Sequence, residues 1–136
     1  MAHFFYGVFM SEIHESGEDY LEAILVLKKE NGVARSVDVA KHLGVSKPSV
    51  SRAMGILMEN GYVILSSIGS LELTEKGKEK AQSIYSRHIL LTKFLQVITG
   101  VSEEQAEANA CRIEHDIDDD IKIGIEKWMK KNGGMN

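Results

Sequence analysis

The sequence predicts a mainly α chain with a small β wing, in which an N-terminal winged helix-turn-helix precedes a second, helical half. Three observations predict it. Ser36 to Tyr62, SVDVAKHLGVSKPSVSRAMGILMENGY, holds two short helical patterns that meet across a tight turn at Gly44. Two β-like runs, Gly61–Leu65 and Leu71–Leu73, flank Ser66-Ser67-Ile68-Gly69-Ser70 directly afterwards. Beyond Thr74 the apolar residues recur at helical spacing as far as Trp128, with a break at Thr99-Gly100.

Taken in order, Met1 to Met10 is apolar, lacks a basic start and a small-residue cleavage pattern, and reads as an N-terminal extension over 1–15 rather than a signal peptide. Ser16 is expected to cap a helix with Glu18 and Asp19 in its first turn and Tyr20, Leu21, Ile24, Leu25 and Leu27 on its apolar face; Asn31-Gly32 ends it. Ser36 is the expected cap of the next helix, where Val37, Val39, Ala40 and Leu43 are apolar and Gly44 supplies a left-handed exit. Ser46 then caps the second helix of the pair. Pro48 falls in its first turn, where a missing N–H leaves nothing unpaired, and Val50, Ala53, Met54 and Leu57 form the buried stripe.

The other face of that helix differs in kind. Lys47, Ser49, Ser51 and Arg52 are small or basic donors at its start, suited to a helix whose N-terminal residues enter a major groove and meet phosphates. With Ser36, Ser46 and Pro48 they make the candidate DNA-binding set, and double-stranded DNA is the expected partner. An ordinary helical hairpin with a solvated face is the plain alternative for two short helices; the following wing favours DNA. The wing tip itself, Ser66 to Ser70, has no Lys or Arg, so phosphate contact there rests on hydroxyls and backbone N–H groups.

Thr74-Glu75-Lys76-Gly77 opens a long helix running to about Ile98, with Ala81, Ile84, Tyr85, His88, Leu91 and Leu95 as one stripe. Ser102 caps a further helix through Ala106, Ala110 and Ile113, and a last helix spans Asp118 to Lys131 before Gly133-Gly134. The expected division is 16–75 for the winged module and 76–136 for the helical half.

At 136 residues, 43% hydrophobic and 26% charged, the composition suits one globular domain or two small ones sharing a helix. No apolar run is long enough to cross a bilayer, and the lone Cys111 cannot form an internal disulfide, so a cytoplasmic, reduced protein is expected. The net charge of −4 is unevenly spread. Ala34 to Lys80 holds seven Lys/Arg against five Asp/Glu, whereas Val101 to Trp128 holds nine acidic residues against three basic. The first stretch suits phosphates; the second attracts cations.

Cys111, Glu114 and His115 stand at i, i+3 and i+4, so on a helix their side chains leave from one face and can converge on one ion. Thiolate, carboxylate and imidazole together form a transition-metal set rather than a calcium or magnesium set. His88 in the long stripe, and Asp19 with Glu22 at i and i+3 on the first helix, are further candidates. Each has a plainer role open to it: His88 as a hydrogen-bonded core residue, Asp19 as an answer to the helix dipole, Cys111 as a small apolar residue, and Glu114 and His115 as solvated surface.

Two competing motifs fail. Asp116-Ile117-Asp118-Asp119-Asp120 begins like a calcium loop but lacks the required glycine and closing glutamate, and reads as a capping acidic turn. Cys111 with His115 comes without a nucleophile turn or oxyanion hole, so an enzyme is not expected.

GEDYLEAI in the first helix, GYVI and LELTEKGK around the wing, SRHILLTKFL and CRIEH together resemble the diphtheria toxin repressor family of metal-dependent transcriptional regulators, and within it the short manganese transport regulators. The resemblance runs from Ser16 to about Trp128. It implies a helical metal-binding and dimerisation domain, a homodimer, and metal positions at Asp19, Glu22, His88, Cys111, Glu114 and His115, with Glu107 as an ancillary ligand. Asp19 resembles the manganese type, Cys111 the iron type, and Thr92 stands where iron-type members place a glutamate. The implied cofactor is Mn2+ or Fe2+, with Zn2+ or Co2+ also accepted by the donor set. The implied function is repression of manganese- or iron-uptake genes, with no membrane and no further protein partner. At this length the SH3-like domain of the longer members is expected to be lacking, and Ile113, Ile117, Ile121 and Trp128 are candidates for the dimer surface. A winged-helix regulator answering to a small organic ligand is the first alternative, and a small metal-dependent hydrolase a more distant one.

Overall fold

A computed structural model describes residues 15–133, which divide into two compact units at Gln82/Ser83. The expected 1–15 extension and Gly134 lie almost wholly outside the described residues. The first unit runs α1 (Glu15–Asn31), α2 (Ser36–Leu43), α3 (Lys47–Glu59), β1 (Val63–Leu65) and β2 (Leu71–Leu73). A long helix α4 (Glu75–Thr99) begins in that unit and continues into the second, which adds α5 (Glu103–Ile113) and α6 (Asp119–Asn132). Among the described residues no helix is long and apolar enough to cross a membrane.

The first unit folds around α1. Leu21, Ala23 and Ile24 are fully or almost fully buried on it, and they meet Val39 and Ala40 of α2, Val50, Met54 and Leu57 of α3, and Val63 and Leu71 of the wing in one core. Burying a Leu or Ile side chain is worth about 1.5–3 kcal/mol, so this periodic stripe, more than helix propensity, holds α1 in place. Gly32, Gly44 and Gly61 close the successive helices at positive φ, where a side chain would be strained.

Two N-terminal signals are displaced, Ser16 by two residues and Ser36 by one. Ser16 lies within α1 rather than capping it. Arg35 is the N-cap of α2, with the Asp38 carboxylate accepting its backbone N–H, and Ser36 is the first helical residue. Of the apolar residues Val37, Val39, Ala40 and Leu43, Val39 and Ala40 are buried and Val37 is exposed. By contrast Ser46 Oγ accepts from Ser49 N–H, Ser102 Oγ from Gln105 N–H and Thr74 Oγ1 from Gly77 N–H, each at the start of its helix.

The wing is a two-stranded antiparallel hairpin in which Val63 pairs with Leu73 and Leu65 with Leu71. It is fastened to the segment after α1: Leu71 N–H donates to Ala34 O, and Ala34 N–H donates to the buried Ser70 hydroxyl. Lys28 on α1 reaches Glu72 on β2 at 2.8 Å. That hydrogen bond and the lysine charge hold the Glu72 carboxyl below its usual range.

In the second unit α5 buries Ala106 and Ala110, α6 buries Met129, and α4 buries Leu90 and Leu91. Phe94 and Trp128 meet edge to face at 5.9 Å.

Candidate functional site

On α3 the buried side fixes what the exposed side can do. Val50, Met54 and Leu57 anchor the helix, which leaves Lys47, Pro48, Ser49, Ser51 and Arg52 exposed together at its N-terminal half. Ser46 is exposed but its hydroxyl is committed to Ser49, accepting its N–H and lying 2.9 Å from its Oγ. Ser36 is exposed at the start of α2. The start of the helix carries a partial positive charge, and Lys47 and Arg52 add full charges, so phosphate and groove contacts are chemically natural here. The wing is poorer than its hydroxyl content implied. Ser66 Oγ accepts Ser70 N–H and the Ser70 hydroxyl is buried against Ala34, while Ile64, Leu65 and Ile68 are exposed.

Asp19 and Glu22 stand half-buried one turn apart on α1. Burial first, and then the negative charge of Asp19, push the adjacent Tyr20 phenol above its ordinary value.

The second unit brings His88, Glu107, Cys111, Glu114 and His115 together. α4 supplies His88 three turns after Gly77, α5 supplies Glu107 and Cys111, Glu114 is the C-cap of α5, and His115 follows it in the turn rather than on the helix that the i, i+3, i+4 spacing implied. Glu114 is completely buried, and the side chain of His115 is 1% exposed, so neither is solvated surface. His88 Nδ1 lies 2.9 Å from Glu114 Oε2, and His88 Nε2 lies 3.7 Å from Glu107 Oε1. Cys111 Sγ and a Glu114 oxygen are within 4.8 Å of one another, as are a His88 ring nitrogen and a Glu114 oxygen. Cys111 is exposed and forms no disulfide. Thr92 donates its hydroxyl to His88 O at 2.7 Å.

A divalent cation fits this donor set. Glu114 Oε1 is the buried side-chain oxygen that has no hydrogen-bond donor among the described residues, with His115 Nε2 3.4 Å away. Leaving a buried carboxylate oxygen without a donor costs on the order of 1–3 kcal/mol, more for a charged group. A cation at that oxygen removes the penalty, and thiolate, imidazole and carboxylate are ligands it can use there.

One residue escaped sequence reading altogether. Arg87, with its side chain 13% exposed, donates from Nη1 to Ile117 O at 2.6 Å and Glu114 O at 3.4 Å, and from Nη2 to the Asp119 carboxylate. No local spacing marks it, because its acceptors lie about thirty residues further on and two are backbone carbonyls.

Residues 12–69 match the iron-dependent repressor N-terminal DNA-binding domain, and residues 74–131 match the iron-dependent repressor metal-binding and dimerisation domain. An uncharacterized HTH-type transcriptional regulator of Methanocaldococcus jannaschii is 35% identical over 122 residues, 86% of this chain and 98% of that protein. The HTH-type transcriptional regulator MntR of Geobacillus kaustophilus is 40% identical over 100 residues, 74% of this chain and 70% of its own length. Among solved structures, a manganese-dependent transcriptional repressor in complex with manganese matches with a TM-score of 0.78 at 26% identity, over 84% of this chain and 52% of the other. The chain thus spans about half the length of that structure.

Proposed function

The chain belongs to the iron-dependent repressor family, and from that membership we propose that it is a homodimeric, divalent-metal-activated repressor that binds operator DNA upstream of manganese- or iron-uptake genes. It is a regulator rather than an enzyme, and it acts in the cytoplasm. The observation that carries the reading is Glu114: a fully buried carboxylate with one oxygen on His88 and the other without a donor among the described residues, on the same α5–α6 turn as His115. Such a group is held ready for a cation.

A bound divalent ion supplies the positive charge that lets these acids, the imidazoles and the thiolate share one site. Glu114 and His115 are the central ligands, joined by His88 and Cys111, with Glu107 ancillary; Asp19 and Glu22 on α1 complete the set. The carboxylates suit Mn2+, and Cys111 adds softness that favours Fe2+, Co2+ or Zn2+. Arg52, Lys47, Ser49 and Ser51 read and neutralise DNA, with Pro48, Ser46 and Ser36 shaping the helix starts behind them. Since the ligand set draws on both the DNA-binding unit and the second unit, metal and DNA binding are linked. A preference of about 1–3 kcal/mol for the DNA-competent arrangement raises DNA affinity, and DNA raises metal affinity by the same factor. The exposed Ile113, Ile121 and Trp128 support placing the dimer contact, together with Ile117, on the second unit.

Deleting the gene and following transcripts of metal-uptake genes in cells grown with and without added manganese or iron tests the reading. Loss of metal-dependent shut-off supports it; shut-off that persists counts against it.

A further inference from the structure

Arg87 reaches the turn that carries the metal ligands from the outside. Its Nη1 donates to the carbonyl of Glu114 itself and, at 2.6 Å, to that of Ile117, and its Nη2 binds the Asp119 carboxylate at the start of α6. The fork therefore joins three points: the C-cap of α5, the end of the irregular segment that follows it, and the first turn of the next helix. This segment has no ladder of its own to hold it. Glu114 N–H bonds Ala110 O and Asp116 N–H bonds Ile113 O, and His115 lies between the two. The carbonyls at a helix C-terminus carry partial negative charge, which a guanidinium there satisfies in a way a point-charge ammonium does not.

We propose that Arg87 is a positioning residue for the metal centre: it fixes the backbone of Glu114 and the following turn, and thereby aims Glu114 and His115. The inference rests on the metal reading given under the proposed function. Its sign separates it from simple electrostatics. A cation beside a cation site repels the incoming ion, so if Arg87 mattered only through its charge, removing it would tighten metal binding. If it positions the ligands, removing it weakens binding despite the charge relief. Groups that orient metal ligands without touching the metal typically contribute about 10–100-fold to affinity.

The test uses the full chain, stripped with chelator and titrated with Co2+ and, separately, Mn2+. Wild type, Arg87→Gln and Arg87→Lys are compared for affinity, for the cobalt d–d and thiolate-to-cobalt charge-transfer bands at saturation, and for metal-free unfolding. Both variants are expected to bind about 10–100-fold more weakly, with cobalt bands altered even at saturation, and the lysine is expected not to rescue although it keeps the charge. A shift in stability alone cannot change the spectrum of a saturated site. Asp119→Asn, at an exposed position, weakens one arm of the fork and is expected to show a smaller loss in the same direction; it also serves if Arg87→Gln fails to fold. Unchanged or tighter binding with wild-type bands in both the Arg87→Lys and Asp119→Asn proteins overturns the positioning role while leaving the metal centre standing. Wild type that binds neither Co2+ nor Mn2+ overturns the metal reading, and this inference with it.

Discussion

His88 and Glu114, 26 residues apart on α4 and α5, meet at 2.9 Å between Nδ1 and Oε2, and the second oxygen of Glu114 lies buried with no hydrogen-bond donor among the described residues. A carboxylate so placed is costly for the metal-free fold and useful to the metal-bound one. Glu114→Gln keeps the shape and removes the charge. Manganese affinity is expected to fall by more than about tenfold, since loss of an outer-shell partner alone costs that much. The metal-free unfolding midpoint is expected to hold or rise, because a neutral amide is cheaper to bury. Metal titration and thermal melts in chelator check the two halves; a fall in both would make Glu114 a structural residue.

His115→Ala is expected to leave the metal-free protein folded and able to bind DNA weakly while abolishing the stimulation by metal. Circular dichroism and DNA titration with and without Mn2+ measure this. An unchanged metal response removes His115 from the site.

Arg52 is exposed on the recognition face of α3, away from the core residues Val50, Met54 and Leu57. Arg52→Ala is expected to weaken DNA binding with and without metal, and if the contact is to phosphate, to lower the salt slope by about 0.9. Affinity measured across a salt series reads both. Undiminished affinity places the DNA surface elsewhere.

Lys28 and Glu72, each about one-third exposed, tie α1 to the wing. The Glu72 carboxyl is held low in the folded protein, so its contribution is present above the unfolded glutamate value near 4.5 and is lost as pH falls through the folded value. Glu72→Gln is therefore expected to cost at most ~1 kcal/mol at pH 7, in the range of surface ion pairs. Denaturant melts at pH 7 and pH 3 are expected to show the difference from wild type shrinking at the lower pH; a difference independent of pH means packing rather than charge.

Gly77 sits in the first turn of α4, where an added Cβ would run into the carbonyl of Tyr62. Gly→Ala within a helix ordinarily stabilises by about 0.5–1 kcal/mol. Here Gly77→Ala is expected to destabilise by roughly 1–3 kcal/mol, as overpacking does. Chemical denaturation gives the sign directly.

What could be read in the sequence was what repeats or lies close. The apolar stripes of α1 and α3, the caps at Ser46 and Ser102, and the nearness of Cys111 to Glu114 follow from spacings of three or four residues. Spacing did not show that the helix stops at Ile113, that Glu114 and His115 are buried in the turn beyond it, or that Cys111 is exposed; that needs the partners across the fold. Lys28 with Glu72, 44 residues apart, and Arg87 with the carbonyls of Glu114 and Ile117 were illegible for the same reason. The displaced caps at Ser16 and Ser36 show a different limit. A good capping side chain is a preference of about 1 kcal/mol, and at α2 the Asp38 carboxylate reaching back to the N–H of Arg35 outweighed it.

The most direct measurement is the anisotropy of labelled operator DNA titrated with the protein, anaerobically, in chelator and then in excess Mn2+ or Fe2+. Metal-linked repression predicts sequence-specific affinity at least about tenfold tighter with metal, within the 1–3 kcal/mol typical of such coupling. Equal affinity in chelator and in metal would contradict it and leave a winged-helix DNA binder controlled by something else.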